Sequence, residues 1–304
     1  MKSKLLLVIS SILLIMLYSC SINQNEPEQQ EQQPVIEVYP EGAIKGKFSV
    51  SDTSKIYFSK GNLQYHGSIP CFSFASTQYE VYGYINRNGI KTAGDFDLFA
   101  YGTSGYNKCY PYKWSSSSDD FASDAMFIKG TNYDWGVYNV IVGGGSQKVW
   151  RCLTNSEMNY LIYNRNNATT LLAYAYIEGQ DGLIILPDDW EKDQSLITLS
   201  MLTYENNKYV LSEDKKNVYT KETWKEIEDK GAVFLPSTGY SETTISGNDI
   251  VYVSDDGYYW LSTGSGYRYG HAFVVARRSN FLKFGVSNTF RRYHHAVRLV
   301  QNCE

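Results

Sequence analysis

Between Gly257 and Asn302 the chain has no Asp and no Glu, although this interval holds seven Lys and Arg and three of the four His. A Ser-His-acid triad needs a carboxylate to orient its base, so the His-rich end cannot build one from its own residues. Cysteine is also scarce. There are five in 304 residues, with no Cys-x-x-Cys pair, and only Cys303 lies near histidines (His294 and His295), so a zinc site has little support. The stretch Ser115 to Asp124, SSSSDDFASD, lacks the alternating acids and the glycine of a helix-loop-helix calcium site. No metal and no cofactor is expected. The apolar run Leu5 to Leu17 falls short of the about 20 residues of a membrane span.

Aromatic residues, by contrast, are abundant: 15% of the chain, with 27 Tyr. Tyr suits β-structure and also suits contact surfaces, because a large ring carries a polar tip. Strand patterns dominate. Phe48 and Val50, Ile56 and Phe58, and Leu63 and Tyr65 alternate between turn-forming segments, and apolar runs recur at 258–261, 272–276, 281–286 and 296–300. In the last of these Val297 and Leu299 share one face and Arg298 is expected on the other. Two helices are expected. Thr154 and Glu157 form a capping box before Met158, Leu161 and Ile162, and Thr220 caps a helix over 221–230 that Gly231 ends. A similar phrase follows each: GLIILP at 182–187 and GAVFLP at 231–236.

The first 19 residues read as an export signal, with Lys2 and Lys4 ahead of the apolar run. The ending Leu17-Tyr18-Ser19-Cys20 resembles the lipobox of bacterial lipoproteins. That resemblance implies lipidation at Cys20 and delivery to the outer membrane, with the expectation of a lipid-anchored, cell-surface location. Residues 20–42 are polar and acidic and read as a flexible tether, leaving 43–304 as the folded domain. Cys71, Cys109, Cys152 and Cys303 are left either to form two disulfides, in any of three pairings, or to stay as buried thiols.

The phrases FSVSDTSKIYFSKGNLQY (48–65), DLFAYGTSGYN (97–107), WRCLTNSEMNYLI (150–162), GLIILPDDW, GAVFLPSTGY, GYYWLST (257–263) and AVRLV (296–300) together resemble a family of exported Bacteroidetes proteins related to the Fibrobacter major paralogous domain. More distantly, that group resembles the C-type-lectin-like fold of formylglycine-generating enzymes and of the variable proteins of diversity-generating retroelements. The resemblance implies an α+β, C-type-lectin-like fold: antiparallel sheets, two flanking helices, terminal strands that meet, and long loops. The calcium phrases Glu-Pro-Asn and Trp-Asn-Asp are absent, as is the pair of copper-binding cysteines of the oxidases. Neither activity is expected.

Charge sets the functional expectation. Of 28 Lys and Arg, seven fall in the acid-free interval, so residues 1–256 carry 21 bases against 31 acids. Such a basic end either meets an anionic ligand or lies against its own acidic body. In the related variable proteins the corresponding interval is the ligand face. That resemblance implies a binding face made of Tyr267, Arg268, Tyr269, His271, Arg277, Arg278, Asn280, Arg291, Arg292, Tyr293, His294 and His295. Arg offers fork-shaped donors for carboxylate or sulfate, and Tyr offers stacking rings. The expectation is a recognition module without enzymatic activity that binds an anionic glycan or a surface protein and no nucleic acid. One alternative is a structural subunit of a surface fibre or complex. Another is a hydrolase using Asp188-Asp189 and Asp255-Asp256, which requires the carboxyls to lie about 5–9 Å apart.

Overall fold

A computed structural model of the chain describes residues 38–82, 94–113, 115, 117–121, 127–191, 196–199, 203–205, 208–212, 216–243, 249–252, 256–278 and 281–303. The signal segment 1–19, Cys20 and the tether up to residue 37 lie outside the described residues. Tyr39 meets the Tyr57 ring edge-on at 5.9 Å, and the Gly42 carbonyl accepts the Lys60 N–H at 2.8 Å, so residues 39–42 pack with the unit that runs on to 304.

Mixed α+β architecture follows from the strand-rich pattern, with most strands antiparallel and few helices. The longest sheet contains three ten-residue strands in succession, Asp256–Ser265, Tyr269–Arg278 and Phe281–Phe290, and continues through Lys208–Ser212 to Thr203–Glu205. Alternation assigns its faces. Tyr259, Leu261, Phe273, Val275, Leu282 and Phe284 enter one core, while Trp260 and Ala272 enter another.

The two similar phrases prove to be neighbours. Gln180–Ile185 and Val233–Pro236 pair antiparallel, with Leu235 opposite Leu183 and Val233 opposite Ile185. Both expected helices form. The capping box of Thr154 and Glu157 starts Asn155–Asn159, which widens into a π turn over Tyr160–Asn164. Thr220 caps Lys221–Asp229, whose Trp224 and Ile227 are buried, and Gly231 ends it at φ 95°.

Near the termini, Phe48–Ser49, Lys55–Phe58 and Val300–Asn302 form a small sheet, so the two ends of the folded unit meet. A fourth sheet carries Asp95–Phe96, Leu63–His66, Cys71–Phe74 and Ile141–Val142 in that order, with Leu63, Tyr65, Phe72, Phe74 and Phe96 turned into an aromatic core. Cys71, Cys109, Cys152 and Cys303 are all free thiols.

One segment threads the centre. The Phe99 N–H donates to the His295 carbonyl and the His295 N–H to the Phe99 carbonyl, both at 2.9 Å, while the Trp260 N–H donates to Ala296 and the Leu63 N–H to Val297. With partners on both sides, 291–300 has no solvent face over most of its length. Arg298 is therefore not on an open face, as its alternation with Val297 and Leu299 suggested: it is 4% exposed, with its guanidinium on Gln78 Oε1 at 2.6 Å.

Candidate functional site

Twelve residues of the acid-free interval were expected on one face, but the folded chain distributes them among separate places. Three are interior. Arg291, His294 and His295 are each 0% exposed, which removes them from any ligand face. The physical reason is the central thread, whose side chains are enclosed by the elements bonded to its backbone on both sides.

Arg291 lies beneath the hairpin turn. Its Nε donates to the Tyr269 carbonyl at 3.2 Å and its Nη2 to the Gly266 carbonyl at 3.1 Å, with the guanidinium 5.0 Å from the Tyr101 ring centre. Carbonyls and a ring, acceptors that the turn leaves over, surround its charge. His294 Nε2 lies 3.4 Å from the Lys113 carbonyl. His295 sits among rings: Trp260 at 4.4 Å and Tyr258 stacked at 4.9 Å.

Arg277 is placed near the far end of its strand, eight residues from Tyr269, which at about 3.3 Å per residue is about 26 Å away. It pairs there with Asp181 at 3.3 Å. The side chain of Arg278 and the whole of Asn280 lie outside the described residues.

At the hairpin tip the remaining residues do converge. Tyr267 is 61% exposed and Tyr269 39% exposed, on the turn that joins Asp256–Ser265 to Tyr269–Arg278. Tyr269 is registered opposite Phe290, and their rings lie 4.7 Å apart. The Arg292 guanidinium lies 4.5 Å from the Phe290 ring centre and 5.1 Å from that of Tyr293. Ring contacts continue from Phe290 to Tyr293 at 5.5 Å and from Tyr293 to Tyr240 at 6.0 Å. The result is a half-exposed aromatic surface capped by a cation.

Charge at the tip is mixed, not purely basic. Arg268 Nε is 3.2 Å from Asp119 Oδ1, and Tyr293 has Glu242 beside it. Burial, with Glu242 adding to it, pushes the Tyr293 phenol up to about 12, so it remains a hydrogen-bond donor at neutral pH. Arg292 is the exception. Among the described residues it makes no ion pair with a carboxylate, and its Nε is buried without an acceptor.

His271 belongs to the same face two residues further along, opposite Asn288. It helps line a polar cleft with Asn155, Asn159, Tyr163 and Asn288, between the first capped helix and the hairpin strands. The expected Asp188 pair has a structural role. Asp188 takes the Ser49 N–H and hydroxyl and pairs with Lys55 and Arg165, whose side chain is 0% exposed. Asp255 lies outside the described residues, and Asp256 stands in the first hairpin strand.

The fourth histidine is not among the twelve residues expected at the site. His66, on a different sheet, stands between Ser73 and Asp95. It lies outside the acid-free interval, and its acid, Asp95, is 29 positions away along the chain. Its one sequence signal is the short turn Gly67 to Pro70, which sets two strands side by side.

No family model, no curated protein and no solved structure matches the chain.

Proposed function

We propose that the chain is a surface recognition module that binds a glycan or protein carrying an anionic group through its hairpin tip. In this reading the domain is C-type-lectin-like, exported, lipid-anchored at Cys20 and held at the outer membrane; the tip binds and performs no reaction. Support for the fold comes from the meeting of the terminal strands, the long Trp-containing hairpin and the two capped helices. Support for the anchor rests on the lipobox-like phrase at 17–20.

One observation carries the binding reading. The Arg292 guanidinium lies over Phe290 and Tyr293 and makes no carboxylate ion pair among the described residues, on the hairpin tip that carries the exposed Tyr267 and Tyr269. A flat cation on rings is poorly solvated, so a carboxylate or sulfate meets it at low desolvation cost, while free rings stack on sugar faces. This narrows the face to Tyr267, Tyr269, Arg292 and Tyr293, with His271 and the cleft next to it. Arg291 is excluded as a probe of contact, since its removal strips partners from the turn's own carbonyls.

An array of sulfated and uronic-acid glycans, probed at two salt concentrations, tests it. Salt-sensitive binding is expected, weakened at least about tenfold by Arg292→Ala and by Tyr267→Ala, in line with truncation of a buried cation or ring contact. Binding that both variants retain overturns the reading. Isolation of the chain in a fixed stoichiometric complex whose neighbour covers the tip replaces it with the subunit reading.

A further inference from the structure

We infer that Ser73, His66 and Asp95 form a nucleophilic site for acyl esters on the outer face of the amino-terminal sheet. The inference is independent of the hairpin tip, which belongs to another sheet. His66 Nε2 lies 2.7 Å from Ser73 Oγ, and His66 Nδ1 lies 3.0 Å from Asp95 Oδ2.

Chemistry assigns the protons. An ionised carboxylate only accepts, so Asp95 holds the imidazole with its proton on Nδ1. The lone pair of a neutral imidazole is then on Nε2, aimed at Ser73, whose hydroxyl donates to it. That is the order of nucleophile, base and orienting acid that activates a serine.

Three adjacent strands create the arrangement. Asp95 is registered opposite His66, His66 opposite Cys71, and Gln64 opposite Ser73, so the three groups share the face opposite the aromatic core. Rigid strands hold them. The site is also open: the side chains of His66 and Asp95 are 26% and 40% exposed, and Ser73 is half-buried.

The neighbours fit a small apolar acyl group. Val142, registered beside Ser73 on the next strand, is 59% exposed and offers an apolar rest. Across the strand pair from Ser73, Gln64 gives one amide N–H to Glu80 Oε1 at 3.0 Å.

The reaction balances with water as the only co-reactant. Ser73 Oγ attacks the ester carbonyl carbon while its proton passes to His66 Nε2. The C–O bond to the alcohol then breaks, and the alcohol leaves with that proton, giving acyl-Ser73. Water, deprotonated by His66, cleaves the acyl group as a carboxylic acid and restores the serine.

The test uses the full chain with p-nitrophenyl acetate and butyrate, followed by a fluorophosphonate probe and peptide mapping. Saturable hydrolysis is expected, lowered at least about 100-fold by Ser73→Ala and by His66→Asn, the range for loss of a nucleophile or general base. Phosphonylation is expected on Ser73. Circular dichroism checks that each variant is folded, and because Ser73 is half-buried at the surface its truncation leaves the core intact. Hydrolysis that Ser73→Ala retains, or a probe that labels another residue or none, overturns the assignment.

Discussion

His295 makes the folded chain sensitive to mild acid, and the size of the effect follows from its surroundings. Its Nδ1 is 3.0 Å from the His294 carbonyl, which only accepts, so the ring proton sits there; Nε2 then accepts from the Thr289 hydroxyl at 3.0 Å. Both nitrogens are satisfied in the neutral ring. A second proton would bring a charge among Tyr258, Trp260 and Tyr293 without a counterion, and burial accordingly pushes the group from its ordinary 6.5 down to about 3. The sign is that of a depressed base: the unfolded chain binds the proton near pH 6.5 while the folded chain declines it, so stability falls as pH drops through that window.

Between pH 7.5 and 5 the loss from this one group is about 2 kcal/mol, for a folded value of about 3. Asp134 opposes it. Fully buried, its carboxyl is raised to about 6, so the folded chain binds that proton more readily and gains about 1.4 kcal/mol over the same interval. The wild-type profile alone therefore understates either term. Urea titrations of wild type and His295→Asn at pH 7.5, 6 and 5 separate them, because the Asp134 contribution is common to both.

Loss of the buried ring costs the variant about 2–4 kcal/mol at pH 7.5, but its deficit should shrink by about 2 kcal/mol at pH 5. With a urea slope of about 3 kcal/mol per molar, the gap between midpoints closes by about 0.7 M. Parallel profiles, with a constant gap from pH 7.5 to 5, would refute the buried neutral imidazole.

Three further outcomes are expected. Asp188→Ala leaves the fully buried Arg165 side chain without its acid and should lower stability by about 3–5 kcal/mol in chemical denaturation, which also makes turnover measurements on that variant a poor probe of catalysis. Glu157→Ala removes both the capping box and the paired contacts to Arg151 at 2.8 and 2.9 Å, and should cost about 1–2 kcal/mol by the same measurement. Gly231→Ala should lower the thermal midpoint, by at least about 1 kcal/mol of stability, because φ is 95° there and a Cβ would stand 2.7 Å from the Gly46 backbone.

The elements visible in the sequence were those whose signals are local. Capping residues at Thr154 and Thr220, a stop at Gly231 and two-residue alternation at Leu282 and Phe284 each act within a few positions, and each structural counterpart formed. Composition served less well, because charge carries no information about depth. Arg291 and Arg298 are cations with interior acceptors, on the Tyr269 and Gly266 carbonyls and on Gln78 and Asn62, and those acceptors come from distant parts of the chain. The Gly42 carbonyl likewise takes its N–H from Lys60, beyond any local pattern.

The same distinction bears on where chemistry can arise. The turn Gly67 to Pro70 fixes His66 opposite Cys71, and once that register is set the two-residue period leaves Ser73 one step diagonal to His66 on the same face. This much was contained in the twelve residues of the hairpin, Leu63 to Phe74, a scale on which strand and turn rules operate. The third member was not, since Asp95 reaches His66 only because another strand adds to the edge of that hairpin. In the acid-free interval the reverse holds: three histidines and seven cations lie close in sequence, yet the fold sends Arg277 to Asp181, Arg268 to Asp119 and His295 into an aromatic shell. Proximity along the chain concentrated charge without bringing a base to an acid, whereas pairing between strands brought a base to an acid from a part of the chain where charge is sparse.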